Sequence, residues 1–299
     1  MKKSKTIFVA GCGGMLGESI YNVFNNEYHM YCTDIDINET WLNFLDFRNY
    51  TEYDNTVKNI KPDYLFHIGA YTDLEYCELN KKDALETNYY SVKNAVKIAN
   101  NCNCQLIFIS SAGVFDGTKN TYYDEDLPIP IGHYAKTKAL SEEYIKKNSK
   151  NFLIIRPGWM MGGGPKKDKK FVNKIIKQIK NNIKTLNIVS DKLGTPTYTY
   201  DFANNLKLML KNNLHGIFNL VCEGQTSRLE VAHEIINILK LQQIININEV
   251  NTNFFKNEYF AKRPFSERLV NKKLNDLNLN IMRNWKICLN EYLIKNFTV

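Results

Sequence analysis

Tyr134 and Lys138 stand four residues apart in the run Tyr134-Ala135-Lys136-Thr137-Lys138. On a helix that spacing shares one face, so a phenol and an ammonium can point into one site. A cation beside a phenol favours the phenolate and lowers its pKa, which suits a tyrosine that exchanges a proton near neutral pH. Upstream, Ser110-Ser111 closes an apolar run, where a hydroxyl can hydrogen-bond a carbonyl or alcohol oxygen. Near the start, Gly11, Gly14 and Gly17 form G-x-x-G-x-x-G within Gly11-Cys12-Gly13-Gly14-Met15-Leu16-Gly17. Such a turn lets a backbone approach a pyrophosphate closely, and the helix that follows offers free N–H groups and a positive dipole end. Asp34, seventeen residues beyond Gly17, can accept from an adenosine ribose and repel a 2′-phosphate, favouring NAD(H) over NADP(H). Asp36 leaves that register open. Each signal also occurs by chance; their order along the chain carries the reading.

The elements that must position these residues follow a regular rhythm. Thr6 to Ala10 reads as a buried strand before the glycine turn, with a helix through about Asn25 and a second strand from His29 to Thr33. Further strands are expected at Tyr64 to Ile68, Leu106 to Ser110 and Leu153 to Ile155, with helices between, among them Ala84 to Asn101 and Ala135 to Lys147. Strands separated by helix-length segments imply right-handed βαβ crossovers, a parallel sheet and an α/β fold. A strand placed this way delivers Ser111 to the carboxyl edge of the sheet, where such folds hold their ligands. After Gly158 the rhythm loosens. Gly162-Gly163-Gly164-Pro165 reads as a turn, Phe171 to Lys180 as a helix, and Thr226 or Ser227 as the N-cap of another. Residues 1–157 are therefore expected to form mainly the nucleotide-binding domain. Residues 158–299 are expected to form mainly a small substrate lobe, with some segments returning to the main body.

Composition excludes several classes. The chain has 299 residues, 44% apolar and 23% charged, so it can bury a core. No run approaches the roughly 18 consecutive apolar residues a membrane span requires, which leaves no membrane role. The basic start Met1-Lys2-Lys3-Ser4-Lys5 precedes an apolar stretch too short for a signal peptide, and a cytoplasmic location is expected. The net charge of +8 comes from lysines scattered singly over helix faces, so no nucleic acid is expected as a partner. It suits an anionic small molecule better. Seven cysteines without a CxxC pair or matching histidines imply reduced thiols and no metal site.

In this order, the glycine turn, the serine pair and Y-x-x-x-K resemble the extended short-chain dehydrogenase/reductase superfamily. The resemblance extends through Ser110-Ser111-Ala112-Gly113-Val114-Phe115, Gly69-Ala70-Tyr71-Thr72-Asp73, Asn88, Asp191 to Tyr198 and Arg263-Pro264. It points to the dTDP-4-dehydrorhamnose reductase-like branch, over residues 6 to about 274. The resemblance implies a Rossmann-type doubly wound sheet, a nicotinamide cofactor and a nucleotide-diphosphate sugar as substrate. Tyr134 becomes the proton donor, Lys138 the residue that binds the nicotinamide ribose and lowers the phenol, and Ser111 the catalytic hydroxyl. Cofactor contacts fall to Gly11, Gly13, Gly14, Met15, Leu16, Gly17, Asp34, Ile35, Gly69, Ala70, Thr72 and Asn88, with Asp46-Phe47 flanking the adenine. Substrate contacts fall to Ser111, Ala112, Trp159 and Arg263, the last through the diphosphate. The lysines from Lys166 to Lys170 read as a mobile, solvated loop.

Departures bear on the substrate. The branch usually carries Ser-Thr-Asp-Tyr-Val-Phe, and Ala112-Gly113 here removes two polar groups beside the hydroxyl. No Asp-Glu pair follows Ser111, which argues against a dehydratase. The expected reaction is reduction of an NDP-4-keto-6-deoxy sugar for polysaccharide biosynthesis. An epimerase with the same trio and a non-catalytic regulatory subunit are the alternatives, and a homodimer is left open.

Overall fold

The computed structural model describes residues 5–297, so Met1 to Ser4 of the basic start lie outside the described residues. Strands β1 (Thr6–Ala10), β2 (His29–Asp34), β3 (Leu42–Phe44), β4 (Tyr64–His67), β5 (Gln105–Ile109) and β6 (Phe152–Arg156) join an edge strand, Gly216–Asn219, in one sheet. The order is Gly216–Asn219, β6, β5, β4, β1, β2, β3, and every pairing is parallel. The order reverses between β1 and β4, and a crevice opens there at the carboxyl ends.

Alternation along the strands fills both faces. Ile7, Val9, Phe66, Ile107, Ile109, Leu153 and Ile155 face helix Met15–Phe24 and the C-terminal helices. Phe8, Ala10, Leu65, Leu106, Phe108 and Ile154 face helices Tyr50–Ile60 and Ser91–Cys102. These side chains are almost wholly removed from water, burial of each one larger than alanine contributing roughly 1.5–3 kcal/mol.

The expected single helix from Ala84 to Asn101 is broken. Lys81–Leu85 leads into a wider π turn, Glu86–Tyr90, before Ser91–Cys102 resumes. The segment, Glu86-Thr87-Asn88-Tyr89-Tyr90, carries no glycine or proline to mark so rare a departure.

Beyond β6 the chain leaves and rejoins the main body. Trp159–Met161 pairs with Pro196–Tyr198, and Leu193–Gly194 lies between Thr226–Ser227 and Ser266–Glu267. Helix Thr199–Lys211 docks on helix Met15–Phe24, where Ser19 Oγ donates to Thr199 Oγ1 at 2.8 Å. The next strand, Gly216–Asn219, edges the large sheet beside β6. Of the two N-cap candidates Ser227 caps helix Arg228–Ile238, in a reciprocal capping box with Glu230. After the glycine turn at 162–164, Gly164–Lys167 forms one helical turn with proline at its start.

Candidate active site

The carboxyl ends of β1, β2, β4 and β5 line a cleft of about 670 Å³. At one end the turn after β1 enters helix Met15–Phe24 at Gly14, with no side chain capping its amides. A Cβ at Gly17 would lie 1.9 Å from the Cys12 carbonyl oxygen, so only glycine lets the helix pack this close. Asp34 accepts from the Gly13 amide (2.8 Å) and the Asp36 amide (3.0 Å), which fixes its carboxylate against the turn. Gly11, Gly13, Gly14, Met15, Leu16, Ile35, Asp46, Phe47, Gly69, Ala70 and Thr72 all line the cleft. Asp46 is bonded by Arg48, whose guanidinium holds that carboxyl below its ordinary value.

Helix His133–Asn148 forms the opposite wall. It brings Tyr134 and Lys138 into the cleft, and the chain leaving β5 brings the Ser111 hydroxyl beside the Tyr134 phenol. Lys138 Nζ donates to the Ile109 carbonyl at 2.8 Å and lies 4.7 Å from the Phe108 ring centre. Burial lowers its ammonium to about 7. Burial also raises the Tyr134 phenol above its ordinary value, while the Ser111 hydroxyl beside it acts the other way. The lowering of the phenol by Lys138 expected from spacing is therefore not what the structure shows. Desolvation dominates and favours the neutral phenol.

A buried ion pair clamps this helix to the sheet. Arg156 at the end of β6 donates to both oxygens of Glu142 (2.9 and 2.6 Å). Ser110 Oγ donates to the same carboxylate at 2.5 Å. Both serines lie along the cleft, but the Ser110 hydroxyl is committed to Glu142, which leaves Ser111 as the hydroxyl available to a ligand.

Several expected contacts sit elsewhere. Asn88 does not line the cleft; its amide bonds both backbone atoms of Tyr71 (2.8 and 2.9 Å) and supports the 69–73 loop from behind. Ala112 is fully buried, its amide donating to the Pro157 carbonyl at 2.8 Å. Arg263 lines the cleft, but its fork is committed to both oxygens of Glu75 (2.8 and 2.7 Å). The 166–170 lysines are not a loosely solvated run. Lys167 Nζ is 2.7 Å from Glu39 and 3.3 Å from Glu18. Lys170 Nζ donates to Thr72 Oγ1 and O (3.0 and 3.1 Å), while Lys166 and Lys169 stay exposed. Trp159 lies flat over Gly194, where a Cβ would be 2.2 Å from the indole.

The residues fit a dinucleotide. The uncapped glycine turn offers amides to phosphates. Thr87, carried into the cleft by the π turn, keeps a buried Oγ1 without a hydrogen-bond partner among the described residues. Sequence reading missed Thr87, Arg228 and Glu267, all of which line the cleft. Only the family-like Arg263-Pro264 stretch gave a signal near Glu267.

A parallel sheet with this strand order, a glycine turn at its crevice and a Ser–Tyr–Lys group on the facing wall define an oxidoreductase of the extended short-chain dehydrogenase/reductase class. The model of the RmlD substrate binding domain matches residues 5–297, and the chain belongs to that family. It is 28% identical over 292 residues to the spore coat polysaccharide biosynthesis protein SpsK of Bacillus subtilis, covering 96% of each chain. To the dTDP-4-dehydrorhamnose reductase of Aggregatibacter actinomycetemcomitans it is 26% identical, covering 86% of this chain and 88% of that one. The dTDP-4-dehydrorhamnose reductase of Bacillus anthracis, solved in complex with NADP, superposes with a TM-score of 0.89 at 25% identity, over 98% of this chain and all of that one.

Proposed function

We propose that the chain is an NAD(P)H-dependent reductase of the 4-keto group of an NDP-4-keto-6-deoxy sugar, serving polysaccharide biosynthesis in the cytoplasm. The observation that carries this is the meeting of Ser111, Tyr134 and Lys138 in one cleft with the glycine turn. The reductase names of its relatives support the substrate class. A bound nicotinamide supplies the hydride. The chain's own part is to hold the carbonyl oxygen on the Ser111 hydroxyl and pass it the Tyr134 proton, so that carbonyl becomes alcohol. A phenol kept protonated by burial suits this direction. Lys138, fixed by the Ile109 carbonyl, stands one helical turn from Tyr134 and would hold the ribose hydroxyls of a bound nicotinamide nucleotide. Asp34 favours NAD(H), and Arg48, a cation at that end of the cleft, is already held by Asp46.

The experiment follows NADH and NADPH absorbance against a panel of NDP-4-keto-6-deoxy sugars. Stoichiometric loss is expected for at least one sugar; cofactor retained through turnover would show an epimerase instead. Tyr134→Phe should keep cofactor affinity and lose about 10²–10⁴-fold in turnover, as removal of a general acid implies. Near wild-type turnover in that variant overturns the assignment.

A further inference from the structure

Trp159 is flanked by two side chains of opposite charge that neither the glycine turn nor the Ser111–Tyr134–Lys138 group uses. Arg228 opens helix Arg228–Ile238. Its guanidinium lies 3.7 Å from the Trp159 ring centre and 4.6 Å from that of Phe171. The backbone N–H of Arg228 donates to the Lys192 carbonyl, but among the described residues the guanidinium makes no hydrogen bond or ion pair. A guanidinium stacked by its faces keeps its five donors around the rim. Arg228 lines the cleft, and burial already lowers the group to about 10. A half-buried cation, stacked on both rings and with its donors unpartnered among the described residues, is a site for an anion that supplies acceptors.

Glu267 sits at the indole edge. Its Oε2 accepts from Trp159 Nε1 at 2.7 Å, while Oε1 has no hydrogen bond among the described residues. Gly113 leaves open the space in front of it. A Cβ there would be 3.4 Å from Glu267 Oε1 and 3.3 Å from Ser111 Oγ. The unused carboxylate oxygen therefore faces the same small space as the hydroxyl that holds the carbonyl. The indole keeps the two charges from pairing with each other.

We propose that this pair reads two ends of the sugar nucleotide: Arg228 binds the diphosphate, and Glu267 accepts from a sugar hydroxyl beside the reacting carbonyl. The proposal rests on the reductase reading and narrows it. The sugar must present a donor next to its carbonyl, and a sugar acid is rejected because its carboxylate would meet that of Glu267.

The test is titration calorimetry with thymidine diphosphate and uridine diphosphate, beside steady-state kinetics with the accepted 4-keto sugar nucleotide. Arg228→Met should weaken the nucleoside diphosphate by about ten- to a hundredfold, as loss of a charge-assisted hydrogen bond implies. Arg228→Lys, which keeps the charge and loses the flat stack, should fall between. NADH affinity on the same samples should not move, which shows the cleft intact. Glu267→Gln, which can still accept from Trp159, should leave diphosphate affinity unchanged and raise the sugar nucleotide KM about tenfold or more. Wild-type protein that binds neither diphosphate refutes the reductase reading itself. Wild-type binding retained in Arg228→Met overturns only the arginine's role. A Glu267→Gln variant that weakens the free diphosphate as much as the sugar nucleotide overturns the carboxylate's role.

Discussion

Replacing Arg156 by Met should be among the most damaging single changes in this chain, although Arg156 does not line the cleft. Its side chain is 1% exposed and that of Glu142 0%. The fork makes two bonds to the carboxylate, bonds the Asp124 and Asp126 carbonyls at 3.3 Å, and lies 5.0 Å from the Phe115 ring centre. Removing the cation leaves Glu142 buried with only the Ser110 hydroxyl. Breaking one side of a buried pair costs about 3–5 kcal/mol, which at the scale of a chain this long lowers Tm by roughly 5–15 °C. The same change loosens helix His133–Asn148 from β6, so kcat should fall more than KM rises, because Tyr134 loses its register with Ser111. Scanning calorimetry and NADH oxidation read the two effects. Arg156→Met with Glu142→Met should recover most of the lost Tm, since an apolar pair of similar volume is often as stable as the ion pair. Two results refute the reasoning: a fall in Tm under about 2 °C for the single variant, or no recovery in the double variant.

Two further outcomes follow from the cleft and its supports. Asp34→Ala should narrow the preference for NADH over NADPH in kcat/KM, and a strong NADPH preference in the wild type would show that the carboxylate does not face the ribose. His67 is buried, its ring bonded to Tyr53 (3.2 Å) and Ser91 (3.0 Å), and burial lowers it from 6.5 to about 3. Its folded value lies below the unfolded one, so its contribution is complete above about pH 6.5 and is lost as pH falls towards 3. His67→Gln should therefore be less stable than wild type at pH 7, with the gap in Tm shrinking on acidification; a gap constant from pH 7 to pH 4 would count against a buried neutral imidazole.

What the sequence made legible is what local spacing encodes. The glycine turn, the strands that bracket it and the shared face of Tyr134 and Lys138 each depend on residues a few positions apart, and the structure has them in those elements. The misses share a different cause. Arg228 and Glu267 reach Trp159 from segments far along the chain, and no periodicity links them. Lys167 and Lys170 look like solvated charges until Glu39, Glu18 and Thr72 are folded beside them. Arg263 looked free for a phosphate because its partner, Glu75, is 188 residues away. The phenol of Tyr134 was expected to fall because spacing shows a nearby cation and hides burial.

Helix Thr199–Lys211 and strand Gly216–Asn219, inserted into the main body from within the second half of the chain, bear on how the gene can be cut. A fragment ending at residue 157 would lack the strand that covers β6, and β6 would become an open, apolar edge of the kind that pairs with other chains. The same fragment would bare the face of helix Met15–Phe24 on which helix Thr199–Lys211 docks. Residues 1–157 are thus not a portable module. Exchanging substrate lobes between relatives requires swapping the pieces on either side of residues 199–219 while leaving that stretch with its own sheet.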